Sequence, residues 1–262
     1  MHQSLKQIVT STWYWLVPAI ALVMLALLQF TENNESLFLF LNSAFYSRYE
    51  SFWLNITLFG DAAIAAILLL PLLNRRPDIV WAAIIAGIIT AVLVNSGKNY
   101  FALPRPPLVL DASSFHQIGN LFTTKSFPSG HTAAAFSVAA VVILSIQQTR
   151  IKIIVLFAAL LVGISRIAIG AHWPMDVLAG AFIGWLPSAI GVMLAQKKVF
   201  ELKYMIVLPI FLLLSVAYYL VFVHQRGDVE ARFLEVTVPV LSLLLALLGF
   251  IKKIKNDRAK SN

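Results

Sequence analysis

The chain contains no cysteine. Disulfides and thiolate metal sites are therefore excluded. Charge is nearly as scarce: Asp, Glu, Lys and Arg make up 12% of the residues, against about 25% in a soluble domain. So few charges cannot cover the water-exposed surface of a 262-residue protein. Hydrophobic residues reach 60% and the mean hydropathy is +0.83, so the bilayer must be the solvent. The net charge of +8 resembles a nucleic-acid signal only until its location is examined. It sits in short loops and a basic tail over 252–262, the membrane-protein pattern, and no nucleic-acid partner is expected. No internal repeat, low-complexity tract or second domain is visible.

Apolar spans run over about 13–30, 52–73, 79–95, 132–146, 151–165, 176–195, 204–223 and 234–250. A spanning helix needs roughly 20 apolar residues. The fourth and fifth fall short and are expected to extend into their flanking loops. The first is too long for a signal-peptide core and lacks a small-residue cleavage site, so it is read as retained. Five prolines fall within spans, Pro18, Pro71, Pro187, Pro209 and Pro239; neighbouring helices can satisfy the backbone groups they free. The expected fold is all-α, a polytopic membrane bundle of about eight helices.

Lysine and arginine placement gives the orientation. An even number of spans puts both termini on one side. That side carries thirteen Lys and Arg: Lys6, Arg75, Arg76, Arg150, Lys152, Lys197, Lys198, Lys203, Lys252, Lys253, Lys255, Arg258 and Lys260. The other carries seven: Arg48, Lys98, Arg105, Lys125, Arg166, Arg226 and Arg232. Both termini are expected to be cytoplasmic. Two outer loops are long. Residues 31–51 hold an apolar stripe readable as an interfacial amphipathic segment or as an ordinary loop with some helix. Residues 98–129 hold Pro104-Arg105-Pro106-Pro107, which cannot be helical throughout.

Three clusters stand at the outer ends of these spans. Lys98 is followed seven residues later by Arg105. A guanidinium fork matches phosphate oxygens and a lysine supplies a point charge, although both also read as snorkelling interfacial cations. Pro128-Ser129-Gly130-His131 precedes a strong helix start. Ser129 can cap that helix, its N-terminus is an anion site, and Gly130 permits close backbone approach. His131 on the first turn suits a general acid; a plain capping turn is the alternative. Ser165-Arg166 ends one span, and His172 precedes Asp176 by four residues before the next. A carboxylate on one imidazole nitrogen fixes the tautomer and leaves the other as nucleophile or base. Taken separately, Asp176 is also a first-turn helix residue and His172 a packed ring. Charges at membrane depth are costly, and three cations around two histidines suggest a phosphate. Asp61, inside the second span, is a further polar candidate that could pair with a site cation or make a helix–helix contact. The pair Gly180 and Gly184 reads as close helix packing.

Together these motifs resemble the three-part signature of the type 2 phosphatidic acid phosphatase superfamily, in family order and at family spacing. The matching stretch runs from Lys98 to Asp176. The resemblance implies a single membrane-embedded phosphatase domain over 1–262. Its six-helix core would include about 52–195, and two extra C-terminal helices would cover about 204–251. It implies that His172 is the nucleophile, Asp176 its orienting partner and His131 the general acid. Lys98, Arg105, Ser129, Gly130 and Arg166 match the phosphate-holding positions. No metal and no cofactor are implied. The substrate would be a phosphorylated lipid, either a phosphomonoester or a pyrophosphate. It would be hydrolysed at the extracytoplasmic face, most simply of a bacterial inner membrane, through a phosphohistidine. A phosphotransferase passing the phosphoryl group from a polyprenyl pyrophosphate to another lipid, such as lipid A, is the alternative. A non-catalytic transporter or assembly scaffold is disfavoured, because a scaffold has no need of both histidines.

Overall fold

The structure is a computed structural model that describes residues 5–46, 50–119, 125–196 and 229–261, with positions 207, 210, 214 and 217–219. Among the described residues helix is the regular structure present, without a strand. A short α1 (Leu5–Val9) leads into α2 (Thr12–Thr31), α3 (Asn34–Tyr46), α4 (Glu50–Leu58) and α5 (Ala62–Ile67). Then come α6 (Pro77–Phe101), α7 (Gly130–Ser145), α8 (Thr149–Ala168), α9 (Pro174–Trp185), α10 (Ser188–Gln196) and α11 (Val229–Ser261). Five stretches are long and apolar enough to cross a membrane: Thr12–Thr31, Pro77–Leu108, Thr149–Ala168, Pro174–Gln196 and Arg232–Lys252. The pair α4 and α5 makes a sixth if counted as one bent span. The chain is thus an integral membrane protein with an all-α polytopic bundle. The expected seventh span over 204–223 falls almost wholly outside the described residues.

Helix α7 lies at the centre, packed against α6, α8, α9 and α10. Its face toward α9 is built for close approach. A Cβ on Gly184 would sit 2.1 Å from the Ala133 carbonyl oxygen, and one on Gly180 would sit 2.6 Å from that of Ser129. Only glycine lets these backbones touch, as the spacing of the two residues predicts. Around this axis the core is sealed by Trp185, Phe136, Ile143 and Val80, all buried. The outer faces of α2, α8 and α11 expose Ile20, Phe30, Ile154, Phe157, Leu244 and Leu248. On a soluble protein such a surface would aggregate; here it meets lipid.

Three elements differ from the sequence reading, each for a local reason. The second span is broken, with α4 and α5 bent by 62°. Asp61 is the N-cap of α5 and accepts hydrogen bonds from Ala63 N (2.8 Å) and Ile64 N (3.2 Å). A short acidic side chain that satisfies these N–H groups starts a new helix. The span from 176 is interrupted between α9 and α10 at Pro187, which cannot donate to the helix ladder. At the break the Leu186 carbonyl accepts from Tyr14 Oη at 3.1 Å, while Trp185 Nε1 donates to Tyr14 O at 2.8 Å. Finally, α6 continues to Phe101, past the expected end near residue 95, so Lys98 lies in its last turn. The last turns of α6 face the polar end of the bundle: a Cβ on Gly97 would lie 2.9 Å from Pro128 Cδ.

The first long loop, residues 31–51, forms α3, which packs inward against α8 and α9. Phe38 and Asn42 are fully buried. The Asn42 amide donates to His116 O (2.9 Å), Ile167 O and Ala168 O (both 3.1 Å), and its oxygen accepts from His116 N (2.8 Å). One side chain thereby pins the second long loop to the end of α8.

Candidate active site

The C-termini of α6 and α8 and the N-termini of α7 and α9 meet at one end of the bundle, and the three sequence clusters meet with them. Helix α7 has 16 residues, about 24 Å at 1.5 Å per residue, against a hydrocarbon core of about 30 Å. Its N-terminal end can therefore be recessed below the membrane surface.

His172 lies in the linker between α8 and α9 and is 1% exposed. Its backbone N donates to Arg166 O at 3.2 Å. Pro174 starts α9, so His172 and Asp176 do not share a helix; Asp176 is at the third helical position. The linker nevertheless brings His172 Nδ1 within 3.1 Å of Asp176 Oδ2. The same oxygen accepts from Trp173 N at 2.9 Å and from Ser126 Oγ. On the opposite edge of the ring, Arg105 Nη1 lies 3.1 Å from His172 Nε2 and donates to Ala171 O at 2.9 Å. A guanidinium can only donate. The lone pair must therefore be on Nε2, and the ring proton on Nδ1 is directed at Asp176. Burial first, and then the charges of Arg105, Arg166, Lys98 and His131, hold the His172 imidazole well below its usual range. That shared field places all three clusters around one ring.

The other residues are held as follows. Arg166, in the last turn of α8 and 2% exposed, donates from Nη1 to Thr57 Oγ1 at 2.5 Å. Lys98 is half-buried and donates to Lys125 O at 3.0 Å. Ser129 is the N-cap of α7 and accepts from Thr132 N at 3.4 Å, while its own N donates to Asp176 O at 3.0 Å. That last bond couples the two helix starts directly. Gly130 and His131 occupy the first turn of α7, where the helix dipole adds positive potential. Above the ring, Trp173 Nε1 donates to Pro104 O at 3.0 Å and Ser126 N to Leu103 O at 2.9 Å. These bonds hold the Arg105 segment over His172.

Two contributors were missed by sequence reasoning. Ser126 binds the carboxylate of Asp176 and lies 3.3 Å from His172 Nδ1. Its signal was its position two residues before Pro128, together with the need of a buried carboxylate for several donors. Thr57 gave only the weak signal of a polar residue in an apolar span. Among the described residues no group of three or more His, Asp or Glu side chains is placed to hold a metal ion.

Chemically, the arrangement presents an oriented imidazole lone pair inside a ring of fixed cations, beside a second histidine on a helix N-terminus. Such an arrangement can hold an anion such as phosphate and offer it a lone pair and a proton donor. Comparison with known proteins gives the family. Residues 78–201 match the PAP2 superfamily, and the chain belongs to that superfamily. The crystal structure of LpxE from Aquifex aeolicus is 34% identical, with a TM-score of 0.56 over 60% of this chain and 93% of that one. The bacitracin transport permease protein BcrC of Bacillus licheniformis is 35% identical over 119 residues, 45% of this chain and 55% of that protein. An undecaprenyl-diphosphatase of Sulfolobus acidocaldarius is 31% identical over 145 residues, 54% of this chain and 64% of that protein. The matched stretches thus span between about half and two thirds of the length of these two relatives.

Proposed function

We propose that this chain is a membrane lipid phosphatase. It hydrolyses a phosphomonoester or pyrophosphate on a lipid head group, at the extracytoplasmic face, through a phosphohistidine. The observation that carries this reading is the buried His172–Asp176 pair, with Nε2 turned toward Arg105 at 3.1 Å.

In the first step the Nε2 lone pair attacks phosphorus. The N–P bond forms as the P–O bond to the leaving group breaks. Asp176 accepts the Nδ1 hydrogen bond and stabilises the positive ring that develops. Arg105, Lys98, Arg166 and the N–H groups of α7 hold the equatorial oxygens, whose charge dominates this transition state. His131 gives its proton to the leaving oxygen. In the second step water attacks phosphorus, His131 takes its proton, the N–P bond breaks, and inorganic phosphate is released.

A lipid, rather than a soluble ester, is supported by a cavity of about 600 Å³ between α5, α6 and α7. His131 and Gly130 line one end; Ala65, Ala83 and Gly87 line its apolar body. It suits a hydrocarbon tail whose phosphate lies at His172. The undecaprenyl-diphosphatase relative makes a polyprenyl pyrophosphate one candidate; phosphatidic acid, phosphatidylglycerophosphate and phosphorylated lipid A are the others. The positive-inside count supports cytoplasmic termini and a site on the opposite face; the membrane proposed is a bacterial inner membrane.

The test is phosphate release by detergent-purified protein across this lipid panel, in the presence of EDTA, beside His172→Ala. Release from at least one lipid that survives EDTA and falls at least a thousandfold in the variant is expected, since the nucleophile itself is gone. Equal release by His172→Ala refutes the mechanism. Release that appears only with an added acceptor lipid converts the reading to a phosphotransferase.

A further inference from the structure

The break in the second span has no role in the chemistry above, yet it touches two of the catalytic groups. The break is tight. Phe59 N donates to Ile56 O (3.2 Å), Gly60 N to Thr57 O (3.0 Å) and Asp61 N to Leu58 O (2.9 Å). These three-residue bonds wind down α4, and Asp61 then caps α5. Just before the break, the buried Thr57 hydroxyl accepts the Arg166 guanidinium at 2.5 Å. At the break, a Cβ on Gly60 would lie 2.8 Å from His131 Cβ, 3.0 Å from His131 O and 2.6 Å from Val162 Cγ1. The Gly60 backbone is therefore the wall against which His131 rests. Beyond the break, α5 diverges by 62° and its small residues Ala62, Ala65 and Ala66 line the cavity that begins at His131.

We infer that Thr57 and Gly60 are positioning residues, and that the Gly60-Asp61 break is a built part of the active site. Thr57 sets the guanidinium plane of Arg166 against the phosphoryl group. Gly60 sets the depth of His131 and so its distance to the leaving oxygen. Asp61 holds the break open by starting α5 in a new direction. The physical reason is geometric. Arg166 carries several donors on a long side chain, and without an acceptor on its far side it can swing. His131 sits on the first turn of α7, and any side chain at position 60 would push it off. A single bent element satisfies both demands and leaves room for a tail. The inference rests on the phosphatase reading.

The two residues act through different groups, so their loss has different signatures. The assay uses purified full-length protein and two esters. The leaving group of p-nitrophenyl phosphate needs no proton; that of a short alkyl phosphate does. Thr57→Val removes one hydrogen bond to a charged group, and about a tenfold loss of kcat on both esters is expected. Thr57→Ser returns both to within about threefold of the parent. Gly60→Ala displaces the acid, so the first turnover, which ends before His131 acts as base, slows about a hundredfold on the alkyl phosphate and by less than about threefold on p-nitrophenyl phosphate. His131→Ala supplies the reference for that pattern. Parental activity in Thr57→Val, a Thr57→Ser as poor as Thr57→Val, or an equal slowing of the first turnover on both esters in Gly60→Ala overturns the inference. His172→Ala in the same plate separates the two claims. If it is as active as the parent, the phosphohistidine mechanism falls and takes this inference with it. If it is dead while the position-57 and position-60 variants behave as the parent, only the positioning role falls.

Discussion

Asp176 and Arg105 grip His172 from opposite edges, and this decides which nitrogen can react. An isolated histidine exchanges tautomers and titrates near 6.5. Here the carboxylate claims Nδ1–H and the guanidinium faces the Nε2 lone pair. Burial and four nearby positive groups oppose a second ring proton. The sign follows directly. The pKa is lowered, so the neutral ring with its Nε2 lone pair persists as the pH falls through 6.5 and is lost only below it. The chain has five histidines, so the test is nitrogen-15 NMR of histidine-labelled protein in detergent. One resonance pair is expected to titrate below about 6.5, in the Nδ1–H tautomer, and to vanish in His172→Ala. A midpoint at or above the ordinary histidine value contradicts the assignment.

At the scale of the elements, the site depends on how closely two helices approach. The Ser129 N–H to Asp176 O bond at 3.0 Å joins α7 to α9 at their first residues. That bond forms only because Gly180 and Gly184 let the helices touch. Gly184→Ala would drive a Cβ to 2.1 Å from the Ala133 carbonyl, where only backbone can yield. The expected cost is about 1–3 kcal/mol, read as a lower midpoint of thermal unfolding in detergent. Lipid hydrolysis should fall further than stability, because the displaced ends carry the site. Gly87 is the control: a Cβ there meets nothing within 4 Å, and Gly87→Ala should stabilise by about 0.5–1 kcal/mol through helix propensity. A Gly184→Ala variant as stable as its parent would remove close packing as the reason for these glycines.

For the whole molecule, the absence of cysteine makes orientation directly measurable. A cysteine introduced at the exposed Ser114, in the loop beside the site, should react in intact cells with a membrane-impermeant maleimide. One at the exposed Gln147, at the opposite end of α7, should react only after lysis. The reverse pattern puts the site in the cytoplasm and would overturn the orientation. The bilayer solvent, the all-helical bundle and the polar ends of the spans were all legible in sequence, because hydropathy and charge act locally along the chain. Local spacing also paired His172 with Asp176, and Ser129 with the start of α7. Asp61 was visible as an anomaly, although its capping role was not. The end of α6 was read six residues early, because Asn95 and Lys98 break an apolar pattern that holds only where a helix faces lipid. The grip of Arg105 on His172 joins residues 67 apart, and that of Thr57 on Arg166 joins residues 109 apart. The reactive tautomer, the Ser126 contact, the seat of His131 on Gly60 and the cavity behind it belong to the same group. Each is a contact across the bundle between residues that no local pattern links, so only the packing of the helices could decide them.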